Sequence, residues 1–269
     1  DQLYKKLGMP FEKRLELYES HKDIITERDD VMLEYVTLYN LAGKPEKAYE
    51  IIMSHSFRPW EGAEGRISGQ YKIALLEMAK KDIAAGAYSE AEEKLEKALV
   101  YPENLGEGKL EGTKDNNLYY YLGLIKEALG KEGAEECFHL AELGDNEPAG
   151  AMYYYDQPAD MILYKGLAKQ KLGKTKEAHA CFNKLMDYGE RHLNDVVKND
   201  FFAVSLPDFL IFEDDMDKRN KAHCYYLMGL ANLGMGQKEK AVEEFDKALE
   251  YDFNHQNCRI YKELAKGEL

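Results

Sequence analysis

Five glycines, Gly43, Gly86, Gly130, Gly173 and Gly236, recur at intervals of 43, 44, 43 and 63 residues, each between stretches whose apolar residues return at helical spacing. This punctuation dictates helix hairpins. In four of the five an alanine lies five residues after the glycine (Ala48, Ala91, Ala178, Ala241), and a larger apolar residue follows four later (Ile52, Leu95, Phe182, Phe245). The alanine lets two helices approach closely. The larger side chain is expected to fill the space between one hairpin and the next. Each hairpin then leaves a face that only a neighbour can cover.

Charge and length restrict what such a chain can do. Its 269 residues suffice for a sizeable core, and 50 acidic against 36 basic side chains give a net charge of −14. That charge opposes a sequence-independent hold on nucleic acid or an anionic membrane, so neither is an expected partner. The most apolar stretch, "FFAVSLPDFLIF", is interrupted by Pro207 and Asp208 and falls short of the roughly 18 residues of a membrane span. The chain starts "DQLYKKLG", and it is expected to be a piece of something longer.

Cys137, Cys181, Cys224 and Cys258 form no C-x-x-C pair, which favours a reducing compartment and a cytoplasmic location. Each has a histidine nearby: His139, His179, His223 and His255. On a helix, residues one or two apart point in different directions, so three of the four pairs cannot jointly face one ion, and buried thiols are expected rather than a metal site. "GEGK" lacks the spacing and the following Ser or Thr of a phosphate loop. No cofactor is expected.

The segment "AHCYYLMGLANLGMGQKEKAVEEFDKALEYD" (222–252) resembles a tetratricopeptide repeat, with Tyr225, Gly229, Ala241, Phe245 and Ala248 on the signature positions. Residues 72–102 match through Gly86, Tyr88, Ala91, Leu95, Ala98 and Pro102, although Ala79 stands where a first-helix glycine is usual. Residues 159–186 carry Gly166, Gly173, Ala178 and Phe182. Residues 29–59 keep Gly43, Ala48 and Pro59, and the unit from Asn116 keeps Gly123 and Gly130 but is one residue short before Phe138. The resemblance implies an all-α fold, an α-α superhelix (TPR-like solenoid) of about five hairpins with extended inter-repeat loops. It implies a single repeat domain over 1–269: a capping segment at 1–28, repeats at 29–71, 72–115, 116–158, 159–221 and 222–255, and a C-terminal helix at 256–269. The leading helix, around 10–25, should present Leu15 and Ile24 to the first hairpin.

The glycine intervals exceed the roughly 34 residues of a plain repeat, so each unit carries an insertion. Two insertions share a grammar. "SFRPWEGAEGR" (56–66) and "VYPENLGEGKL" (100–110) align Pro59 with Pro102, Glu64 with Glu107, Gly65 with Gly108 and Arg66 with Lys109, and the first holds the lone tryptophan, Trp60. Their backbones should follow similar courses. The motifs are either structural, with the glutamates bonded to the amino end of the next hairpin, or functional, with Trp60, Glu64, Arg66, Glu107 and Lys109 offered to a ligand. The long insertion from Asp187 to Asp215 is expected to be a helix extension plus an apolar segment that docks. "PWEGAEG", "YPENLGEGK", "YYYDQPAD" and "FFAVSLPDF" also resemble a bacterial group in which such helices follow a domain of unknown function. Members of that group are associated with carbohydrate handling.

In tetratricopeptide arrays the first helix of each hairpin lines the concave surface. The resemblance places there Asp30, Leu33, Glu34 and Thr37; Ile73, Leu76, Glu77 and Lys80; Asn117, Tyr120, Tyr121 and Leu124; Asp160, Leu163, Tyr164 and Leu167; and His223, Tyr226, Leu227 and Leu230. That lining is acidic and tyrosine-rich. It should reject anions and suit a basic peptide with an aromatic contact, or a neutral glycan. Three functions follow: a non-catalytic scaffold for a peptide or protein segment, which the fold favours, with the protein's own N-terminal domains among the candidate partners; a glycan-binding accessory module of a larger carbohydrate-processing protein; and an enzyme using Glu34 and Glu77 as acid and base. No nucleophile–base constellation supports the last, and the chain is read as not an enzyme.

Overall fold

The computed structural model describes residues 1–58, 60, 63–150, 157–197 and 215–267. Among them are fourteen α-helices and one 3-10 turn, and no strand. The chain divides into two compact units, whose described residues are 1–111 and 112–267.

The first unit holds α1 (Gln2–Lys6), α2 (Phe11–Glu19), α3 (Lys22–Ile25), α4 (Asp29–Leu41), α5 (Pro45–Ser54), α6 (Arg66–Ala84) and α7 (Tyr88–Ala98). The second holds α8 (Asn116–Leu129), α9 (Ala134–Ala141), α10 (Asp160–Lys171), α11 (Thr175–His192), α12 (Met216–Gly234), α13 (Lys238–Tyr251) and α14 (Gln256–Lys266). Hairpins α4–α5 and α6–α7 pack in the first unit, and α8–α9, α10–α11 and α12–α13 in the second. Within each unit, first helices meet first helices: α4 touches α6, α8 touches α10, and α10 touches α12. The fold is thus all-α and built of five hairpins, as the glycine period predicts.

The glycine–aromatic pairing works inside each hairpin. A Cβ placed on Gly123 would lie 2.5 Å from the Phe138 ring, and Gly166 and Gly229 would collide in the same way with Phe182 and Phe245. The rings therefore fill their own hairpins, where the sequence reading put them between neighbours. Phe182 does both, because its Cδ1–Cε1 edge lies against Gly166 of its own hairpin and against Gly234 of α12. In α6–α7 the corresponding residues are Ala79 and Leu95, both fully buried: a larger first residue faces a smaller second one. The residue missing before Phe138 is taken from the helix. α9 starts four residues after Gly130, whereas the other second helices start two after theirs, and Gly133 at φ 86° makes the extra turn.

Several boundaries differ from expectation. α6 and α12 begin at Arg66 and Met216, so Arg66–Ser68 form the first turn of α6 instead of a loop. Asp215 caps α12 by accepting from the Lys218 amide at 3.1 Å. α11 continues to His192, and so the long insertion starts as a helix extension. Its apolar stretch, 201–212, lies outside the described residues, as does "YYYD" at 153–156. The leading helix breaks at Ser20, whose hydroxyl donates to the Leu17 carbonyl. The break resets the helical phase. Leu15 is buried as expected, but Ile24 is 59% exposed and Ile25 takes the inner position. α14 covers residues 256–266, and residues 268 and 269 of the expected trailing helix lie outside the described residues.

Candidate functional site

The two E-G motifs of the first unit meet at one pocket. It has a volume of about 310 Å³ and is lined by Arg58, Trp60, Ala63, Glu64, Ile67, Leu105 and Glu107. Ala63, Ile67 and Leu105 are buried and form an apolar floor. Trp60 is half-buried, and Arg58 and Glu64 are exposed at the rim. The segment leading to Trp60 is fixed by its neighbours. Asp29, the first residue of α4, accepts from His55 Nε2 at 2.7 Å and from the Arg58 amide at 3.0 Å. Burial pushes the Asp29 carboxyl up, but these hydrogen bonds and the charge of Arg58 outweigh it and hold the group below the usual range. Asn104 bonds the end of α5, donating to the carbonyls of Ile52 (2.7 Å) and His55 (2.9 Å), while its own carbonyl accepts from the Phe57 amide.

Glu107 and Glu64 part company. Glu107 accepts from the backbone amides of Gly65 (2.8 Å) and Ser68 (3.0 Å), satisfying two of the amides that α6 leaves open at its start. It caps the first helix of its own hairpin, not the next one. Accordingly the two loops do not follow the same course: Gly65 is left-handed (φ 75°) directly before α6, whereas Gly108 is not, and in the second loop it is Gly106 that turns left-handed (φ 73°). Pro59 lies outside the described residues. Lys109 donates to the Leu99 carbonyl at 2.8 Å and sits over the Tyr101 ring, which closes the end of α7. Arg66 starts α6. Glu107→Ala should destabilise the first unit by about 1–2 kcal/mol, the scale of a lost charged cap. A urea denaturation midpoint equal to the parent's would contradict this role.

The carboxylates assigned to the concave surface are each engaged by a group of the chain itself. Glu34 meets Lys5 at 2.5 Å and Arg14 at 3.3 Å. Arg14 is fully buried and also pairs with Asp1. Exposed Asp30 pairs with Arg28 at 2.6 Å, and Glu77 with buried Lys80 at 2.6 Å. Asp160 is buried and accepts from the Tyr261 hydroxyl at 2.8 Å. The expectation of four carboxylates open to one ligand is corrected on this point: Glu34 and Asp160 are buried against cations or a hydroxyl donor, Glu77 is paired with buried Lys80, and Asp30 is paired at the surface with Arg28. Glu34 and Glu77, which an acid–base reading would require, are both held in ion pairs.

The tyrosines pack on one another. Tyr121, Tyr164 and Tyr226 are buried, and Tyr120 is half-buried with its hydroxyl pushed up to about 12 by burial and the neighbouring Tyr121. Tyr164 lies 5.7 Å from Tyr120 and 5.8 Å from Tyr121. His223 is buried too. Its Nε2 donates to the Ala149 carbonyl at 2.9 Å, and burial drives its pKa down to about 4. All four cysteines are buried thiols, and among the described residues no group of three or more His, Cys, Asp or Glu side chains is placed to hold a metal ion. No helix among them is long and apolar enough to cross a membrane.

Sequence reasoning missed Arg58, Ile67, Leu105 and Tyr261. Leu105 and Ile67 read as ordinary core residues, and only the folding of one loop onto the other brings them beneath Trp60. Tyr261 stands in the trailing helix, outside the repeat pattern.

No family model matches the chain. It is similar to several solved structures. One is YrrB, described as a TPR protein with an unusual peptide-binding site (17% identity over 96% of this chain and 98% of that one, TM-score 0.30). Another is a tetratricopeptide repeat protein from Parabacteroides merdae (15% identity, 95% and 91%, TM-score 0.31). A third is MamA (19% identity, 79% and 91%, TM-score 0.26). Five helix hairpins, three of them with a first-helix glycine against a ring of the second helix, make this chain TPR-like in its fold.

Proposed function

We propose that the chain is a non-catalytic interaction scaffold and that the pocket around Trp60 takes a segment of a peptide or protein. The observation that carries this reading is the division of labour between the two motifs. Glu107 holds the start of α6, while half-buried Trp60 and the exposed side chains of Arg58 and Glu64 stand around an apolar floor of Ala63, Ile67 and Leu105. A large apolar side chain of an extended segment fits the floor, and a neighbouring Lys or Arg fits Glu64. The volume lies near the lower end of the ~300–1,000 Å³ typical of ligand pockets.

Panning a random peptide library on the full chain tests the proposal. Selected peptides should bind Trp60→Ala on the order of thirtyfold more weakly, the scale of losing a central aromatic anchor. Equal binding by parent and variant would remove the pocket as the working surface. The Trp60 face beside two carboxylates also admits a sugar ring. A neutral oligosaccharide that binds at the pocket with no dependence on salt, where peptides fail, would favour the glycan reading.

A further inference from the structure

Much of the main chain around the Trp60 pocket is bonded within the chain itself. The Phe57 amide donates to the Asn104 carbonyl at 2.8 Å and the Arg58 amide to Asp29 at 3.0 Å. The Gly65 and Ser68 amides are held by Glu107. The Ala63 amide donates to the Trp60 carbonyl at 3.1 Å, and the Arg66 amide to the Ala63 carbonyl at 3.0 Å. None of these amides is left to pair with a bound segment as the edge of a sheet would. Contact with a ligand therefore falls to side chains: the Trp60 indole, the apolar floor and the charged rim. A ligand amide pressed onto the side chains of Ala63, Ile67 and Leu105 loses its water to apolar surface. Proline has no N–H and does not incur that cost.

The charges add a second requirement. Glu64 and Glu107 line the pocket, whereas the one guanidinium there, Arg58, has its Nε 3.4 Å from the Asp29 carboxylate. Asp29 thus offsets Arg58 and leaves the rim acidic, which suits a cation on the ligand. We propose that the pocket takes a proline-rich segment in the polyproline II conformation, with an Arg or Lys next to the prolines. The proposal rests on the reading of this pocket as a peptide site and names the peptide's chemistry. Trp60 supplies a flat apolar face for a pyrrolidine ring and one N–H donor for a ligand carbonyl. The polyproline II helix has no internal hydrogen bonds and is largely formed before binding, so little ordering entropy is lost. That saving matters in a pocket of about 310 Å³, which has room for few contacts. An amphipathic helix would need several anchors spread along its face, and this pocket has room for one.

The test titrates the full chain with three acetylated, amidated peptides, read by Trp60 emission and by calorimetry. They are Pro-Pro-Leu-Pro-Pro-Arg, the same peptide with alanine for every proline, and the same peptide with glutamate for arginine. The proline peptide should bind on the order of tenfold more tightly than the alanine peptide, the effect of a ligand formed in advance. The glutamate peptide should bind about tenfold more weakly than the arginine one at low salt, a gap that narrows as salt rises and in Glu64→Gln. Equal binding of the proline and alanine peptides, both weakened by Trp60→Ala, would overturn this inference and leave the peptide reading standing. Library peptides that lack proline and bind through Trp60, where the proline peptide fails, would do the same. Selected peptides indifferent to Trp60→Ala would remove the pocket reading and this inference together, as would a neutral oligosaccharide that binds at Trp60 where all peptides fail.

Discussion

Gly229→Ala should lower the stability of the protein by about 1–3 kcal/mol, the cost of overpacking a filled core, even though alanine is the better helix former by about 1 kcal/mol. The added methyl would fall well inside the Phe245 ring, and Phe245 is fully buried, so neither side can yield without displacing the hairpin. The chain supplies its own control. In α6–α7 the same two places hold Ala79 and Leu95, a compensated pair. Gly229→Ala combined with Phe245→Leu should therefore recover part of the loss, which denaturant unfolding of the two single variants and the double variant would measure. Strict additivity of the two single effects would show that the contact does not couple them.

A second large effect is expected from acid. His223 has an ordinary pKa of 6.5 and is held at about 4 by burial, against its hydrogen bond to Ala149 and with help from the charges of His255 and Arg219. Above pH 6.5 the ring is neutral in both folded and unfolded chains and stability is unaffected. As pH falls below 6.5, the unfolded chain takes up a proton that the folded one refuses until about pH 4. Stability is lost across that window. Over roughly 2.5 units at 1.36 kcal/mol per unit the loss is about 3 kcal/mol. His255 is depressed by burial as well and acts in the same direction. Glu142 titrates lower: burial pushes its carboxyl up, but hydrogen bonds from Lys174, His139 and Lys169 outweigh this and hold it at about 2, so its contribution disappears between about pH 4.5 and 2. In His223→Gln, which keeps a donor for Ala149, the slope of stability against pH between 6.5 and 4 should fall by about one proton. An unchanged slope would show that His223 is not the group responsible.

The fold was legible because its determinants are local. A glycine that ends a helix, an alanine five residues later and a large side chain after that are all written within one hairpin, so the number of hairpins and the trailing helix follow from spacing. The direction of packing was not legible. That Phe245 faces Gly229 inside its hairpin depends on which faces of two helices meet, and the sixteen-residue separation fits contact within the hairpin or with its neighbour. Helix starts at Arg66 and Met216 escaped because the insertions extend the helices instead of interrupting them. The site was half legible. Trp60 and the repeated E-G pair mark the place, but the Glu107 partners lie 39 and 42 residues away and the floor residues carry no signal of their own. The concave carboxylates misled for a related reason. A repeat pattern says which helix face a residue occupies, and it says nothing of a cation such as Arg14 or Lys5 supplied from outside the repeat.

Binding at the pocket around Trp60 is directly observable, because Trp60 is the chain's lone tryptophan. Emission from the full chain should be recorded while a peptide selected from the library is added, with the same titration followed by calorimetry. Trp60 emission should shift to the blue and saturate at the midpoint found by heat, because a side chain seated on the floor covers the indole face now open to water. A peptide that saturates by calorimetry and leaves the emission unmoved would place binding elsewhere and contradict the account.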